Sequence, residues 1–324
     1  MEGSTMTYWQ SLPSSYSDRL EELAQTLSAS RDAFHETAAN FHWEPVAGSG
    51  ASEAAAALPF PDPAIGKPTG ETGHRLITEA MQIFLFNSAA HMGSWAALLR
   101  SAEVIATPPL LLRAVIENCA HAVWVAGDDP DEDPEDRLAR AYLEELKSAE
   151  EAKMNAGRLR GKSDPTHTRT AAAYKKLKAD IAVRFPESTP EELSKFGLHR
   201  QKLPSLGDVV EWMYELTRSF GGSIDATVAS GMYGLLSNLT HPTLYTVREM
   251  RIWTKDEKTG HAVASVRVTI ESVEKDVRAA LAAFSNALSY VTGYFGWPDT
   301  ALKALESKID AVIPDFFRVA LEEE

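Results

Sequence analysis

Two segments of this chain repeat one arrangement, three polar side chains at i, i+4 and i+8 in otherwise apolar surroundings. LLLRAVIENCAHAVWV carries Arg113, Glu117 and His121, and GMYGLLSNLTHP carries Tyr233, Ser237 and His241. On a helix each trio spans an arc of about 80°, so its members point one way while Leu, Ile, Val and Ala fill most of the remaining circumference. A helix apolar nearly all round reads as a buried helix, and its ionisable groups then need partners or ligands to offset the cost of leaving water. The two stripes are predicted to face each other in the interior.

The chemistry open to them follows from the residue types. Arg113 and Glu117 sit one turn apart with opposite charge, which is a structural ion pair or a clamp for an anion. His121 extends the stripe by a turn and reads either as a satisfied core imidazole or as a proton-transfer group beside a carboxylate. His241 precedes Pro242, which places it at a helix C-terminus, where the dipole favours the imidazolium. Gly231 and Gly234 leave room for another backbone or a ligand to approach Tyr233 and Ser237. Taken together, Arg113, Glu117, His121, Tyr233, Ser237 and His241 form the candidate catalytic or ligand-binding set. A small anionic molecule is one candidate ligand, and whether catalysis occurs there stays open.

Other chemistries lack their motifs. A carboxylate-bridged di-iron bundle needs two Glu-x-x-His pairs, and the one such spacing, Glu71 to His74, falls in a loop-like stretch. HETAA has Ala39 where a zinc protease would have its second His. There is no phosphate-binding GxxxxGK[ST], no GxGxxG after a strand and no GxSxG. No metal or cofactor is expected. The single cysteine, Cys119, lies within the first striped helix and reads as a small buried hydrophobe, and it favours a reducing compartment.

The elements that must position these residues are helical. Leu20, Leu23, Leu27, Phe34, Ala38 and Phe41 recur at helical spacing, which gives a long amphipathic helix capped by Ser17 or Asp18. Residues 45–73, rich in Gly, Pro and Ala, read as a loop or linker after an N-terminal unit of 1–44. A helical core is expected over 74–297, opening with a helix from Leu76 to Val104. The next helix opens at Pro108 and stops near Gly127. Further helices are expected from Arg137 to about Arg160, over 170–183, 189–196 and 205–219, and from Val273 to Phe295. Residues 246–270 give the one β signal, a hairpin around KDEKTG with Val266, Val268 and Ile270 on one face. A last helix, Asp299 to Val312, and an acidic tail fill 298–324. The fold class is mainly α, a multi-helix bundle with one small β-hairpin.

The stripe of 273–295 resembles that of the first helix, so the two are expected to pair antiparallel within the chain or across a homodimer. The composition, 44% hydrophobic and 24% charged, is that of a globular protein, with no basic leader and no convincing membrane span, so the expected location is the cytoplasm with no membrane partner. The net charge of -14 opposes generic nucleic-acid binding. Locally the charge reverses. Residues 128–151 hold eleven Asp or Glu against three Lys or Arg, and residues 153–178 hold eight Lys or Arg against Asp164 alone. This charged arm, 128–200, reads either as a solvated face or as an RNA or anion contact. The contact would use Arg158, Arg160, Lys162, Lys175 and Lys176, with Lys153, Arg169 and Lys178 beside them.

Arg-x-x-x-Glu in one apolar helix, followed far downstream by Tyr-x-x-x-Ser-x-x-x-His before a long final helix, resembles a loose group of bacterial helical proteins similar to the HEPN superfamily. The likeness covers residues 76–150 and 225–295. It implies a helical dimer, an RNA or protein partner and a role in defence or stress response. In the ribonucleolytic members it implies an Arg, a polar residue and a His together near the dimer axis. Here Ser237 stands where an arginine would be useful, and Arg113 could take that place only if the two striped helices pack together.

Overall fold

The computed structural model describes residues 7–10, 12–65, 70–105, 107–129, 132–219, 224–240, 248, 250–258 and 260–317. The chain is mainly α: eleven α-helices and two small sheets lie among these residues. The core is built from α1 (Ser17–Phe41), α3 (His74–Arg100), α4 (Pro108–Ala126) and α10 (Ile270–Phe295). Their periodic apolar positions, Leu23 and Leu27 on α1, Leu85 and Trp95 on α3, Val115 and Ile116 on α4, and Leu281 and Phe284 on α10, are fully buried together. α4 is the central rod. It packs between α3 and α10, with α8 (Leu206–Ser219) and α9 (Ala226–Thr240) laid across it. Pro108 and Pro109 open α4, where a missing N–H costs nothing, and Gly127 closes it at φ 87°.

α1 and α10 run parallel, not antiparallel. Arg19 near the start of α1 bonds Glu274 near the start of α10, and Phe41 at the end of α1 stacks on Trp297 just past α10, with ring centroids 5.2 Å apart. Periodicity sets which face is buried and carries no sign for direction, which is decided here by the elements in between. Both apolar stripes are covered within one chain. The start of α1 also differs from expectation: Ser17 and Asp18 are its first helical residues and Tyr16 is the cap, without a side-chain bond.

Within 45–73 the described residues include a short helix and buried side chains. Ser49 caps α2 (Gly50–Ala57) by accepting from the Ser52 N–H, and Ala51, Ala54, Leu58 and Ile65 are buried. A run of alanines shows no amphipathic contrast, yet it makes a good helix and packs closely. Gly73, at φ 57° and ψ -144°, turns the chain into α3 where an added Cβ would lie 2.5 Å from the Pro59 carbonyl oxygen. The hairpin is present as β4 (Arg251–Lys255) and β5 (Ala262–Arg267), joined antiparallel. β1 (Thr7–Gln10) adds a third strand, parallel to β5. Four residues carry too little alternation to announce a strand. Ile270 begins α10 instead of extending β5, because the Thr269 side chain caps the helix. A two-residue ladder, β2 (Gly197–Leu198) with β3 (Gln201–Lys202), follows the one-turn α7 (Pro190–Ser194).

α5 (Pro134–Arg160) and α6 (Pro165–Arg184) form a long antiparallel hairpin, the charged arm. Its root is anchored rather than solvated. Arg137 and Arg140 are both buried and donate to carbonyls at the end of α4 and in the acidic loop after it. Arg137 bonds the Ala126 carbonyl at 2.6 Å and that of Glu132 at 2.7 Å, and Arg140 bonds the Trp124 carbonyl at 3.1 Å and the Glu132 carboxylate. Two cations thus meet the negative end of the α4 dipole and its unpaired carbonyls. No helix among the described residues is long and apolar enough to cross a membrane.

Candidate functional site

The two striped helices meet. Arg113 Nε donates to Glu117 Oε1 at 2.7 Å, one Arg113 terminal nitrogen donates to Tyr233 Oη at 3.2 Å, and the other donates to Thr240 Oγ1. Tyr233 Oη–H donates to the same Glu117 oxygen at 2.8 Å, which closes a ring of hydrogen bonds. The guanidinium also lies 5.3 Å from the centroid of the Tyr233 ring, a cation–π distance. Burial by itself would lower the Arg113 pKa, but the Glu117 carboxylate outweighs it and holds the guanidinium more firmly charged than usual. Burial and then the hydrogen bond to Glu117 push the Tyr233 phenol up, so it stays protonated and donating.

The cluster sits at the edge of the bundle, not in its interior. The Arg113 and Glu117 side chains retain 17% and 21% exposure. α4 is buried along most of its circumference, and its polar stripe marks the remaining half-open strip. α9 lies over that strip with only Ala229 and Leu236 buried, while Val228, Ser230, Gly231, Gly234 and Leu235 face outward. An apolar circumference did not bury α9, because only one of its faces meets the rest of the chain.

The remaining predicted residues go to different places. His121 turns away from α9 and bonds Glu144 of α5, Nδ1 to Oε1, at 2.5 Å, with its ring stacked on Phe84. Ser237 takes part through its backbone carbonyl, which accepts from Thr240 Oγ1 at 2.8 Å. His241 lies outside the described residues, directly after Thr240. Two partners were not read from the sequence. Thr240 stands seven residues after Tyr233, hence on the same helical face, which is a signal the i, i+4, i+8 pattern passes over. Glu144 has no local signal, since its meeting with His121 depends on how two helices dock.

On the arm, Arg158, Arg160, Lys162 and Arg169 are exposed around the turn from α5 to α6, Lys175 is exposed farther along α6, and Leu159 is 84% exposed. Lys176 is engaged otherwise, bonding both oxygens of Asp180 at 2.8 Å. The Lys153 ammonium lies over the Tyr174 ring at 3.8 Å, which withdraws the aromatic side chain of the basic stretch 153–178 from any stacking role. α5 runs antiparallel to α4, since Arg140 meets Trp124 and Glu144 meets His121. The basic end of the arm therefore points along α4 toward the end that carries Arg113.

Cys119 is buried against Ser88, and burial pushes its thiol up to about 12, too high for a nucleophile. Among the described residues no group of three His, Cys, Asp or Glu side chains is placed to hold a metal ion. The sequence matches no family model, and no curated protein or solved structure is detectably similar to it.

Proposed function

We propose that this chain is a HEPN-like helical protein that acts in defence or stress response by associating with RNA, which it holds with the basic end of the α5–α6 arm. The observation that carries the reading is the cluster of Arg158, Arg160, Lys162 and Arg169, exposed at the end of a long hairpin on a chain whose net charge is -14. Cations concentrated at one end of an otherwise acidic molecule create a local field suited to a phosphate backbone, while the acidic body repels the polyanion elsewhere. The arm's direction supports the same reading, because strand held at its end passes toward the side on which Arg113 reaches Thr240, the residue before His241.

A small anionic ligand finds less support. Arg113 spends its donors on Glu117, Tyr233 and Thr240, so none is left aimed at a ligand. The ring of bonds serves first to dock α9 on α4.

The test is binding of a fluorescent single-stranded RNA across a salt series. Four phosphate contacts give a log–log slope of about -3. Reversing Arg158, Arg160 and Lys162 to glutamate is expected to weaken binding at least tenfold and flatten that slope. Salt-independent binding, or binding unchanged in the triple variant, refutes the reading. The same samples report cleavage: RNA cut by the wild type and left intact by Arg113→Ala and His241→Ala makes the α4–α9 cluster catalytic, and uncut RNA throughout leaves the protein a binder.

A further inference from the structure

The molecule holds a second polar cluster, between residues 70–72, α3, α5 and α6, that plays no part in the reading above. Gly70, Glu71, Thr72, Tyr142, Glu145, Leu177 and Asp180 line a cavity of about 10 Å³, the space of one water-sized group. Three of its oxygens are buried without a hydrogen-bond partner: Glu71 Oε2, Glu145 Oε2 and the Tyr142 hydroxyl. Tyr142 is only 1% exposed, and its hydroxyl lies in the field of Glu145, Asp62 and Asp180.

The surrounding charge is negative. Glu79 of α3 and Asp180 of α6 both act on Glu145 with like charge. Arg75 bonds Glu71 Oε1 at 2.7 Å and leaves Oε2 unpaired, and Lys176 bonds both oxygens of Asp180 at 2.8 Å. Beyond them Arg184 bridges Asp62 and Glu135. Four carboxylates thus meet two cations at the cavity, and the outer trio adds a further negative charge. Thr72 is held beside it, since its Oγ1 accepts from the Asp62 N–H at 3.0 Å. A Cβ at Gly70 would come within 3.3 Å of Glu145 Oε1, so glycine keeps that carboxylate open to the cavity.

We propose that this cavity is a binding site for a primary ammonium group, whose three N–H donors meet Glu71 Oε2, Glu145 Oε2 and the Tyr142 oxygen. The donor set is two carboxylate oxygens and a phenol oxygen, and among the described residues no group of three His, Cys, Asp or Glu side chains is placed to hold a metal ion. An ammonium needs one acceptor per hydrogen and fits the space of one water. A free amine and a lysine side chain carry the same group, and the experiment separates them.

The measurement is thermal denaturation of the full chain at pH 8 with methylammonium, with the blocked tripeptide Gly-Lys-Gly, and with tetramethylammonium, which has no N–H to donate. A saturable rise in Tm with methylammonium or with the tripeptide is expected, and the tighter of the two identifies the source. Tetramethylammonium should do nothing. Glu145→Gln should weaken the response at least tenfold and Tyr142→Phe several-fold. The Tm of each variant without amine shows that it folds. Binding to the wild type should also weaken as pH falls below about 7, where Glu145 takes up a proton. No response, an equal response to tetramethylammonium, an undiminished response in both variants, or a response to Mg2+ or Ca2+ in place of amines overturns the proposal.

Discussion

Replacing Glu145 by glutamine should stabilise the protein at high pH and leave it unchanged at low pH. Burial, with Glu79 and Asp180 nearby, pushes the Glu145 carboxyl up from its ordinary 4.5 to about 7. In the native state it keeps its proton over a range in which the unfolded chain has lost it. Stability conferred by that proton is complete below about pH 4.5 and falls as pH rises toward 7, beyond which the native state carries the full cost of a buried charge. The gap from 4.5 to about 7, at about 1.4 kcal/mol per pH unit, makes that cost about 3 kcal/mol. Glutamine keeps the shape of the protonated acid and never ionises, so Glu145→Gln should gain about 3 kcal/mol at pH 8 and nothing at pH 4.5. At about 2 °C per kcal/mol for a chain this long, Tm at pH 8 should rise by about 6 °C. Asp276, half-buried and held up to about 6 by desolvation, gives the wild type a fall of the same sign, which the comparison of variant with wild type cancels. Thermal denaturation in amine-free buffer at both pH values is the assay. A gain equal at the two, or a loss at pH 8, would show that Glu145 is not a buried, uncompensated charge.

Arg113→Ala removes the donor that ties Glu117, Tyr233 and Thr240 together. For part-buried, charge-assisted hydrogen bonds it should cost about 1–2 kcal/mol, seen as faster amide exchange in 226–240 with little change in α1 or α10. Arg113→Lys should recover only part of this, since one ammonium cannot span three partners. Gly73→Ala should cost about 3 kcal/mol or prevent folding, because Gly73 holds a backbone conformation reserved for glycine and its new Cβ would press 2.5 Å from the Pro59 carbonyl oxygen, measured as a lowered denaturation midpoint.

Periodicity exposed the fold wherever a single face is buried. Leu20 to Phe41 and Val277 to Val291 each name their helix and its inner stripe, and the structure buries most of both. It failed where burial leaves no contrast. The alanines of 51–57 pack as α2 without an amphipathic pattern, and the four residues of β1 form a strand only because β5 offers an edge. Direction is a third kind of information. Nothing in the stripes of α1 and α10 distinguishes parallel from antiparallel, and the pairings of Arg19 with Glu274 and Phe41 with Trp297 are fixed by the helices threaded between them.

The site was legible in the same partial way, and for a related reason. Spacing places Arg113, Glu117 and His121 on one side of α4, but an 80° arc can be shared between neighbours, and here α9 takes the first two while α5 takes the third. The second cluster shows the converse. Leu138, Tyr142, Glu145 and Ala149 follow steps of four, three and four along α5, so Glu145 occupies a position that the pattern reserves for an apolar side chain. An acid at an apolar position is costly unless something meets it, and the arm offers Lys147 and Lys153 nearby in sequence, yet neither is the partner: Lys147 bonds Glu151 and Lys153 lies over Tyr174. The carboxylate instead shares with Tyr142 and Glu71 the lining of a space the size of one water. A side chain that breaks its own helix's pattern and finds no partner in the chain is the stronger pointer to a ligand, whereas the polar stripe of α4, which first draws the eye, is answered from within by Tyr233, Thr240 and Glu144.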